Sequence, residues 1–278
     1  MANLKTSYLG LELKNPLVVS SCPFTDDVES VAKLEAAGAS AVVLRSIFEE
    51  QIQSDVSDMY TALEGDTSMA ALEYLRADLP GRLGPEKYLD KIAAMRQRVK
   101  IPIIASVNCV NASNWVSYAK KIERAGADAL ELNLYHMPVD PGETADLVEA
   151  RRLMLVKAVL AEVRLPVAVK LSSHYTALLS FARMLDTAGV RGLVFFNRFL
   201  QTDVNTDDES IYYAPNYSSP HVLHSQLRWT AVIREWVRCN IAISGGIHSG
   251  NDLVKALLVG ADVGCVCSVL HLRQDFGV

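Results

Sequence analysis

Two short patterns alternate strictly along the 278-residue chain, and this alternation restricts the fold more than any other feature. In the first pattern a helix end and a Gly precede an apolar strand, as in EAAGASAVVL at 35–44, ERAGADALEL at 123–132, DTAGVRGLVF at 186–195 and LLVGADVGCV at 257–266. In the second a basic residue lies near the helix end, and in three of the four cases a Pro then leads into the strand, as in LKNPLVVS at 13–20, VKIPIIAS at 99–106, VRLPVAVK at 163–170 and VRCNIAIS at 237–244. Gly suits the left-handed position after a helix, and a basic residue suits the negative end of the helix dipole. Together the patterns predict eight strands.

Segments with helical periodicity separate these strands, for example SNWVSYAKKIERAG at 113–126 and DLVEARRLMLVKAVLAEV at 146–163. Strands that alternate with helices pair in parallel. Eight such units predict a (β/α)8 barrel, the TIM barrel, built as one domain over 1–278. An open doubly wound sheet is the alternative that the same alternation allows.

Two segments between strands are too long for plain loops. They follow strand 2, at about 46–100, and strand 6, at about 197–226. The second is polar and has little periodicity, which predicts a lid or a partner-binding loop, with disorder as the alternative.

Charge and composition exclude several classes of function. The net charge of −5 gives no basic field for nucleic acid or an anionic membrane surface, and no apolar run is long enough to span a membrane. The first residues contain no apolar segment typical of a signal peptide, so a cytoplasmic location is expected. The cysteines are odd in number and lack a CxxC pair, and five of the histidines lack metal-ligand spacing, so neither a disulfide framework nor a metal site is expected. These cysteines are Cys22, Cys109, Cys239, Cys265 and Cys267, and these histidines, treated as loop or surface groups, are His174, His221, His224, His248 and His271.

Polar or small residues end every predicted strand, at the rim where active sites of this barrel lie. They are Ser20, Ser21, Cys22, Arg45, Ser46, Ser106, Asn108, Asn133, Lys170, Asn197, Ser244, Gly245, Gly246, Cys267 and Ser268. Lys170 directly follows an aliphatic strand, and a buried cation needs an anion beside it. That anion is either Glu131, in a purely structural pair, or a ligand that develops negative charge.

The segment SGGIHSG at 244–250 joins strand 7 to a helix. Adjacent glycines let backbone N–H groups turn toward a phosphate, and phosphate sites after strands 7 and 8 are frequent in this barrel. A phosphate there and an electron-accepting ring over Lys170 together indicate flavin mononucleotide, FMN, since a lysine can stabilise the reduced ring.

At this point the sequence resembles the dihydroorotate dehydrogenase family, in particular its class 1 members. The resemblance rests on LGLELKNPLVVSS at strand 1, ELNL at strand 4, VAVKL at strand 5, FFNRF at strand 6 and SGGIHSG at strand 7. It implies an FMN-dependent dehydrogenase of pyrimidine biosynthesis that oxidises a dihydropyrimidine-like substrate, dihydroorotate to orotate, and forms a homodimer. It also implies roles for individual residues: Ser20 and Ser21 contact the flavin through backbone, Asn133 and Lys170 hold the ring, Asn197 meets substrate with Asn133, and Gly245, Gly246, Cys267 and Ser268 bind phosphate. Asn108 and Ser244 complete the predicted cofactor-binding set.

Three departures from the family pattern bear on the substrate. Arg45 stands where class 1 members have a lysine, and a guanidinium does not simply replace an ammonium. The family's NLSCPN reads NLYHMP, so His136 occupies the position of the cysteine base. The sequence after strand 8 is short, which predicts a more exposed last strand and a looser phosphate site.

His136, Lys170 and Arg45 are therefore the predicted catalytic residues. Imidazole is a competent general base near neutral pH. Tyr135 is the rival base, and a loop histidine that only packs is the third possibility. Two other functions stay open at this point: a flavin-free barrel enzyme acting on a phosphorylated small molecule, and a flavin-binding homologue without catalytic activity.

Overall fold

The computed structural model describes residues 3–48, 85–108, 112–134, 136–198, 201–214 and 217–273. Within them the strands are β1 (Thr6–Tyr8), β2 (Leu11–Leu13), β3 (Leu17–Val19), β4 (Ala41–Val43), β5 (Ile47–Phe48), β6 (Ile103–Asn108), β7 (Ala129–Asn133), β8 (Val167–Leu171), β9 (Gly192–Phe195), β10 (Gln201–Val204), β11 (Ile211–Ala214), β12 (Asn240–Ser244) and β13 (Val263–Val266). The helices are α1 (Val28–Ala36), α2 (Pro85–Arg98), α3 (Ala112–Ala125), α4 (Ala145–Glu162), α5 (Leu178–Ala188), α6 (Leu223–Arg234), α7 (Gly250–Leu258) and α8 (Ser268–Arg273). Among the described residues, no helix combines the length and apolar character needed to cross a membrane.

Eight parallel strands close into a barrel. Each of β3, β4, β6, β7, β8, β9, β12 and β13 pairs in parallel with the next, and β13 returns to β3 with Gly264 opposite Leu17. The pairing of β4 with β6, Val42 opposite Ile103, completes the ring. The predicted (β/α)8 barrel is therefore confirmed, and the open sheet is excluded because both of its edges would be unpaired.

The repeated glycine pattern has the conformation that it predicts. Gly38, Gly126, Gly189 and Gly260 each follow a helix and have positive φ values, from 98° to 115°. At Gly189, which caps α5, the backbone N–H donates to the carbonyls of Asp186 and Leu185 and ends the helix. Each such turn connects its helix to the start of the next strand.

A second, smaller core fills the barrel interior, apart from the larger core between strands and helices. Small inward residues such as Ala129, Ala168 and Ala242 leave space at the N-terminal end of the barrel. The hairpin of β1 and β2 fills this space with Tyr8 and Leu9, each 2% exposed. This hairpin therefore closes the end of the barrel opposite the C-terminal ends of the strands.

We expect Gly192→Ala to lower the free energy of unfolding by about 1–3 kcal/mol, the usual cost of overpacking. A Cβ atom at Gly192 would lie 2.5 Å from Leu9 Cδ2, so the hairpin would have to move. Urea unfolding measures the effect. Gly250→Ala is the matched control, since a Cβ there meets no heavy atom within 4 Å. Equal stability of the two variants would show that Leu9 does not require a glycine opposite it.

The long segments contain more regular structure than their sequence indicates. The segment after strand 6 forms the antiparallel hairpin of β10 and β11, with Val204 opposite Ile211, and then enters α6. Residues 85–98 of the segment after strand 2 form α2, while 49–84 lie outside the described residues. The last barrel strand, β13, is buried along its whole length, so the exposure expected from the short C-terminal sequence is not observed.

Candidate functional site

The C-terminal ends of the barrel strands carry an unusual concentration of buried polar side chains, and this rim is called the mouth below. Parallel strands all end on the same side of the barrel, which brings these residues together. The side chains at this rim that are at most 8% exposed include Ser20, Ser106, Asn108, Glu131, Lys170, Ser244 and Ser268. Burying so many polar groups is costly unless they meet partners, so the mouth has the character of a binding site.

Lys170 and Glu131 face each other inside the mouth. Asn133 pairs with Lys170 across β7 and β8, so alternation along β7 puts Glu131 on the same inward face. The distance between Lys170 Nζ and Glu131 Oε1 is 3.8 Å, an ion pair without a hydrogen bond. Burial raises the pKa of Glu131, while the charge of Lys170 and a hydrogen bond from Ser106 oppose the rise.

The N–H groups of the Lys170 ammonium are therefore not used by its ion pair with Glu131. Its side chain is 10% exposed, and no hydrogen bond from Nζ is found within the described part of the chain. The structure supports the structural pair that the sequence allowed, yet that pair leaves the donors of the cation available to a ligand.

Three buried oxygens at the mouth also lack a hydrogen-bond partner among the described residues: Asn108 Oδ1, Glu131 Oε1 and Asn133 Oδ1. Buried polar atoms in folded proteins nearly always have a partner, so such a group needs an explanation. All three belong to β6 and β7, the strands next to β8 and Lys170. Asn108 and Asn133 lie opposite each other on the two strands, so their amide oxygens could accept hydrogen bonds from one ligand.

The predicted phosphate residues meet on Ser218, which arrives from the segment after strand 6. The Gly246 N–H donates to Ser218 Oγ at 3.0 Å, and Ser268 Oγ lies 3.0 Å from the same oxygen and accepts from the Ser218 N–H at 2.8 Å. Gly245 and Gly246 have φ values of 93° and 80°. A Cβ atom on Gly246 would lie 2.5 Å from the backbone nitrogen of Leu223, so only glycine fits this turn.

Ser218 is a residue that sequence reasoning missed. No motif marks it, and it lies 28 residues before Gly246 and 50 residues before Ser268. The backbone of Ser244 joins the same region by accepting from Phe196 N–H and from Gln226 Nε2, each at 3.3 Å. The chain after strand 6 is thus part of the wall of the predicted phosphate site.

His136 is oriented by a carboxylate. Its Nε2 lies 3.0 Å from Glu143 Oε2, and Arg151 binds the other oxygen of that carboxylate at 2.8 Å. The pair is largely buried, with 17% and 13% of the two side chains exposed. A carboxylate that fixes the ring of a histidine is the arrangement of many general bases. Tyr135, the rival base, lies outside the described residues.

Arg45 lies in a network of charges on the rim. Its Nη1 binds Asp26 Oδ2 at 2.8 Å, and Lys91 Nζ binds Asp26 Oδ1 at the same distance. The Arg45 side chain is 20% exposed.

The other predicted contacts lie on the same rim. The Asn197 N–H donates to the Leu171 carbonyl at 2.7 Å, which puts Asn197 beside the end of the strand that carries Lys170. The Ser20 N–H donates to the Val266 carbonyl at 2.8 Å, and the neighbouring Ser21 is half-buried. The structure therefore brings the predicted residues of strands 1, 5, 6 and 8 to one rim.

A cluster of soft ligands lies at the edge of the mouth. Cys22, Cys267 and His271 offer ligand atoms within 4.8 Å of one another. The hydrogen bond from the Cys22 thiol lowers the pKa of Cys267, and His271 adds to the effect. The same contact and burial raise the pKa of Cys22. The sequence indicated a loop or surface role for His271, but its ring is half-buried against Phe24 and Tyr217, at 4.7 and 5.0 Å between centroids.

Comparison with known proteins identifies relatives along nearly the whole sequence. The sequence model described as dihydroorotate dehydrogenase matches residues 3–276. The chain is 25% identical to the dihydroorotate dehydrogenase B (NAD(+)) catalytic subunit of Thermoplasma acidophilum, over 98% of this chain and 88% of that one. It is 26% identical to dihydroorotate dehydrogenase A (fumarate) of Lactobacillus delbrueckii subsp. bulgaricus, over 99% and 90% of the two chains. It is 28% identical to the B-type catalytic subunit of Geobacillus sp., over 94% and 83%.

The motifs on which the resemblance rests lie on the barrel strands or directly after them. The family match extends across both halves of the barrel. The chain belongs to the dihydroorotate dehydrogenase family.

Proposed function

We propose that this protein is an FMN-dependent oxidoreductase that oxidises a dihydropyrimidine, with dihydroorotate to orotate as the reaction. The observation that carries the proposal is the buried Lys170, whose N–H groups make no hydrogen bond within the described residues, at a mouth where three buried oxygens also lack a hydrogen-bond partner among those residues. The family membership supplies the reaction class, since the relatives are named dihydroorotate dehydrogenases.

The residues present fit FMN. Asn108 and Asn133 each offer a buried oxygen that can accept a hydrogen bond from a polar ring, and Lys170 offers donors. The turn at Gly245 and Gly246 leaves no room for a Cβ on its second residue, and Ser268 lies beside it. The Gly246 N–H donates to Ser218 Oγ in this structure and would have to give up that bond to bind a phosphate, to which the Ser268 hydroxyl and the N-terminus of α7 would add. Lys170, Asn133, Asn108, Ser20 and Ser21 would hold the ring, and Ser244, Gly245, Gly246, Cys267 and Ser268 the phosphate.

When bound, FMN supplies a two-electron acceptor for hydride. The chain's own residues supply the positive charge, the orientation of the substrate and the general base. Lys170 provides a fixed positive charge in a site of low water content, where charge stabilisation is strongest. Asn133 and Asn197 orient the substrate through their amides. His136, held by Glu143, takes the proton from the carbon next to the one that loses hydride.

We expect the purified protein to bind about one FMN per chain and to absorb visible light as flavoproteins do. Native mass spectrometry and absorbance measure this directly. Riboflavin, which has the same ring without the phosphate, is the matched control and should bind more weakly, because the glycine turn would have no anion to hold. Failure to bind FMN after reconstitution with an excess of it would overturn the proposal.

The same experiments separate the other two functions. A flavin-free enzyme acting on a phosphorylated small molecule would remain colourless under all of these conditions. A flavin-binding homologue without activity would be yellow but would not bleach when dihydroorotate is added without oxygen. Bleaching by dihydroorotate is the result that we expect.

The single-domain organisation over 1–278, a homodimer and a cytoplasmic location stay predictions. The cytoplasmic location is supported by the cysteine pattern of the sequence, and the homodimer by family membership.

A further inference from the structure

We propose that Cys22, Cys267 and His271 form a zinc-binding site, with the fourth position left to water or a small ligand. The three ligand atoms lie within 4.8 Å of one another. Tetrahedral Zn²⁺, with bonds of about 2.3 Å to sulfur and 2.0 Å to nitrogen, needs ligand atoms roughly 3.5–3.8 Å apart. The side chains therefore have to move by only about 1 Å or less to meet that geometry.

The backbone fixes each of these ligands. Cys22 begins the turn Pro23–Thr25, where its N–H donates to Thr25 Oγ1 and its carbonyl accepts from the same hydroxyl at 2.8 Å. Cys267 immediately precedes α8, and His271 lies four residues later, so both project from the same face. Aromatic contacts of Phe24 and Tyr217 with His271 hold its ring in place.

The chemistry of the ligands selects the metal. Two sulfurs and one imidazole are soft or borderline ligands, which suit Zn²⁺ and not Ca²⁺ or Mg²⁺, since these need oxygen. Binding deprotonates both thiols, and two thiolates balance the charge of the ion. A neutral site can be buried at this depth, where Cys22 is 4% exposed, without leaving an unpaired charge.

The position of the cluster gives the ion a structural role. Cys22 follows β3 and Cys267 follows β13, the first and last strands of the barrel, which pair with each other. A metal bridge would join the two strand ends at this seam and anchor α8. It would also direct the Cys267 side chain to the metal and leave its backbone facing the predicted phosphate site.

The spacing of the ligands explains why the sequence did not reveal them. Cys22 is separated from Cys267 by nearly the whole barrel, so no local motif contains all three. The ligands come together only because the barrel closes.

Zinc content tests the proposal. The full chain, expressed with zinc and purified under a reducing agent, should retain about one ion per chain, and X-ray absorption should show two sulfurs at about 2.3 Å and one nitrogen at about 2.0 Å. Cys22→Ser, Cys267→Ser and His271→Ala should each weaken zinc binding by at least about 10-fold. Cys239→Ser and His174→Ala are matched controls away from the cluster and should keep the metal.

A second measurement guards against variants that simply fail to fold. A chelator should lower the melting temperature of the parent protein and of the controls, but not that of His271→Ala, whose substitution lies on a half-buried helix position. A parent protein without zinc, or metal content equal in all variants, would overturn the proposal. So would an intact mass lower by two hydrogen atoms after exposure to air, with the linkage mapped to Cys22 and Cys267 by peptide mass spectrometry and with no zinc uptake, since this would identify a disulfide instead. Because zinc is measured without substrate or flavin, the result is independent of the proposed dehydrogenase activity.

Discussion

Lys170→Ala should reduce the single-turnover rate of flavin reduction by dihydroorotate by about 100-fold or more, the effect of removing about 2.7 kcal/mol of transition-state stabilisation. The reason is the position of the ammonium: it lies in a buried mouth with its donors free of hydrogen bonds within the described residues. A fixed charge in such a site stabilises developing negative charge far better than water does. Stopped-flow absorbance under anaerobic conditions measures the rate, and Lys157→Ala, an exposed lysine on α4, is the control.

A double variant separates catalysis from the structural pair with Glu131. Lys170→Ala alone leaves a buried carboxylate without its cation, which destabilises the protein as well. Adding Glu131→Gln removes that charge, so thermal stability should recover while the reduction rate stays low. If the rate recovers together with stability, Lys170 serves only to neutralise Glu131.

His136→Ala should lower the same rate by about 10²–10⁴-fold, the usual contribution of a positioned general base. The 3.0 Å contact with Glu143 fixes the ring, so Glu143→Gln should produce a smaller loss in the same direction. Added imidazole should restore part of the rate of His136→Ala and none of the rate of Lys170→Ala.

Two variants provide the comparison for this prediction. Tyr135→Phe removes the rival hydroxyl, and His221→Ala removes an exposed histidine far along the chain. Both should reduce their flavin at the parent rate. A large loss in Tyr135→Phe with a normal rate in His136→Ala would assign the proton transfer to the tyrosine.

The barrel could be predicted from sequence because its signals are local. A glycine after a helix and a basic residue at the next strand each act within a few residues, and eight repeats leave little choice of topology. The same holds for Lys170 and Asn133, since a residue at the C-terminal end of a barrel strand lies at the rim where active sites of this fold are found.

What the sequence did not reveal depends on long-range packing. Ser218 comes from a polar segment without periodicity, yet its hydroxyl contacts Gly246 and Ser268. His271 contacts Cys22 and Phe24, which are far from it in sequence, and this environment is created where the first and last strands of the barrel meet. The charge network around Asp26 joins Arg45, at the end of strand 2, to Lys91, on α2 within the insertion that follows this strand. Such contacts follow from the closed structure and not from a pattern.

The hairpin of β1 and β2 has a consequence for how ligands enter and leave the site. Tyr8 and Leu9 fill the far end of the barrel, and Leu9 is fastened there by its N–H, which donates to Asn240 Oδ1 at 2.8 Å. A ligand of Lys170 would therefore have to enter and leave on the side where the strands end. In the proposed dehydrogenase, an electron donor and an electron acceptor that both used this side would bind one after the other, with the two electrons held on the protein in between.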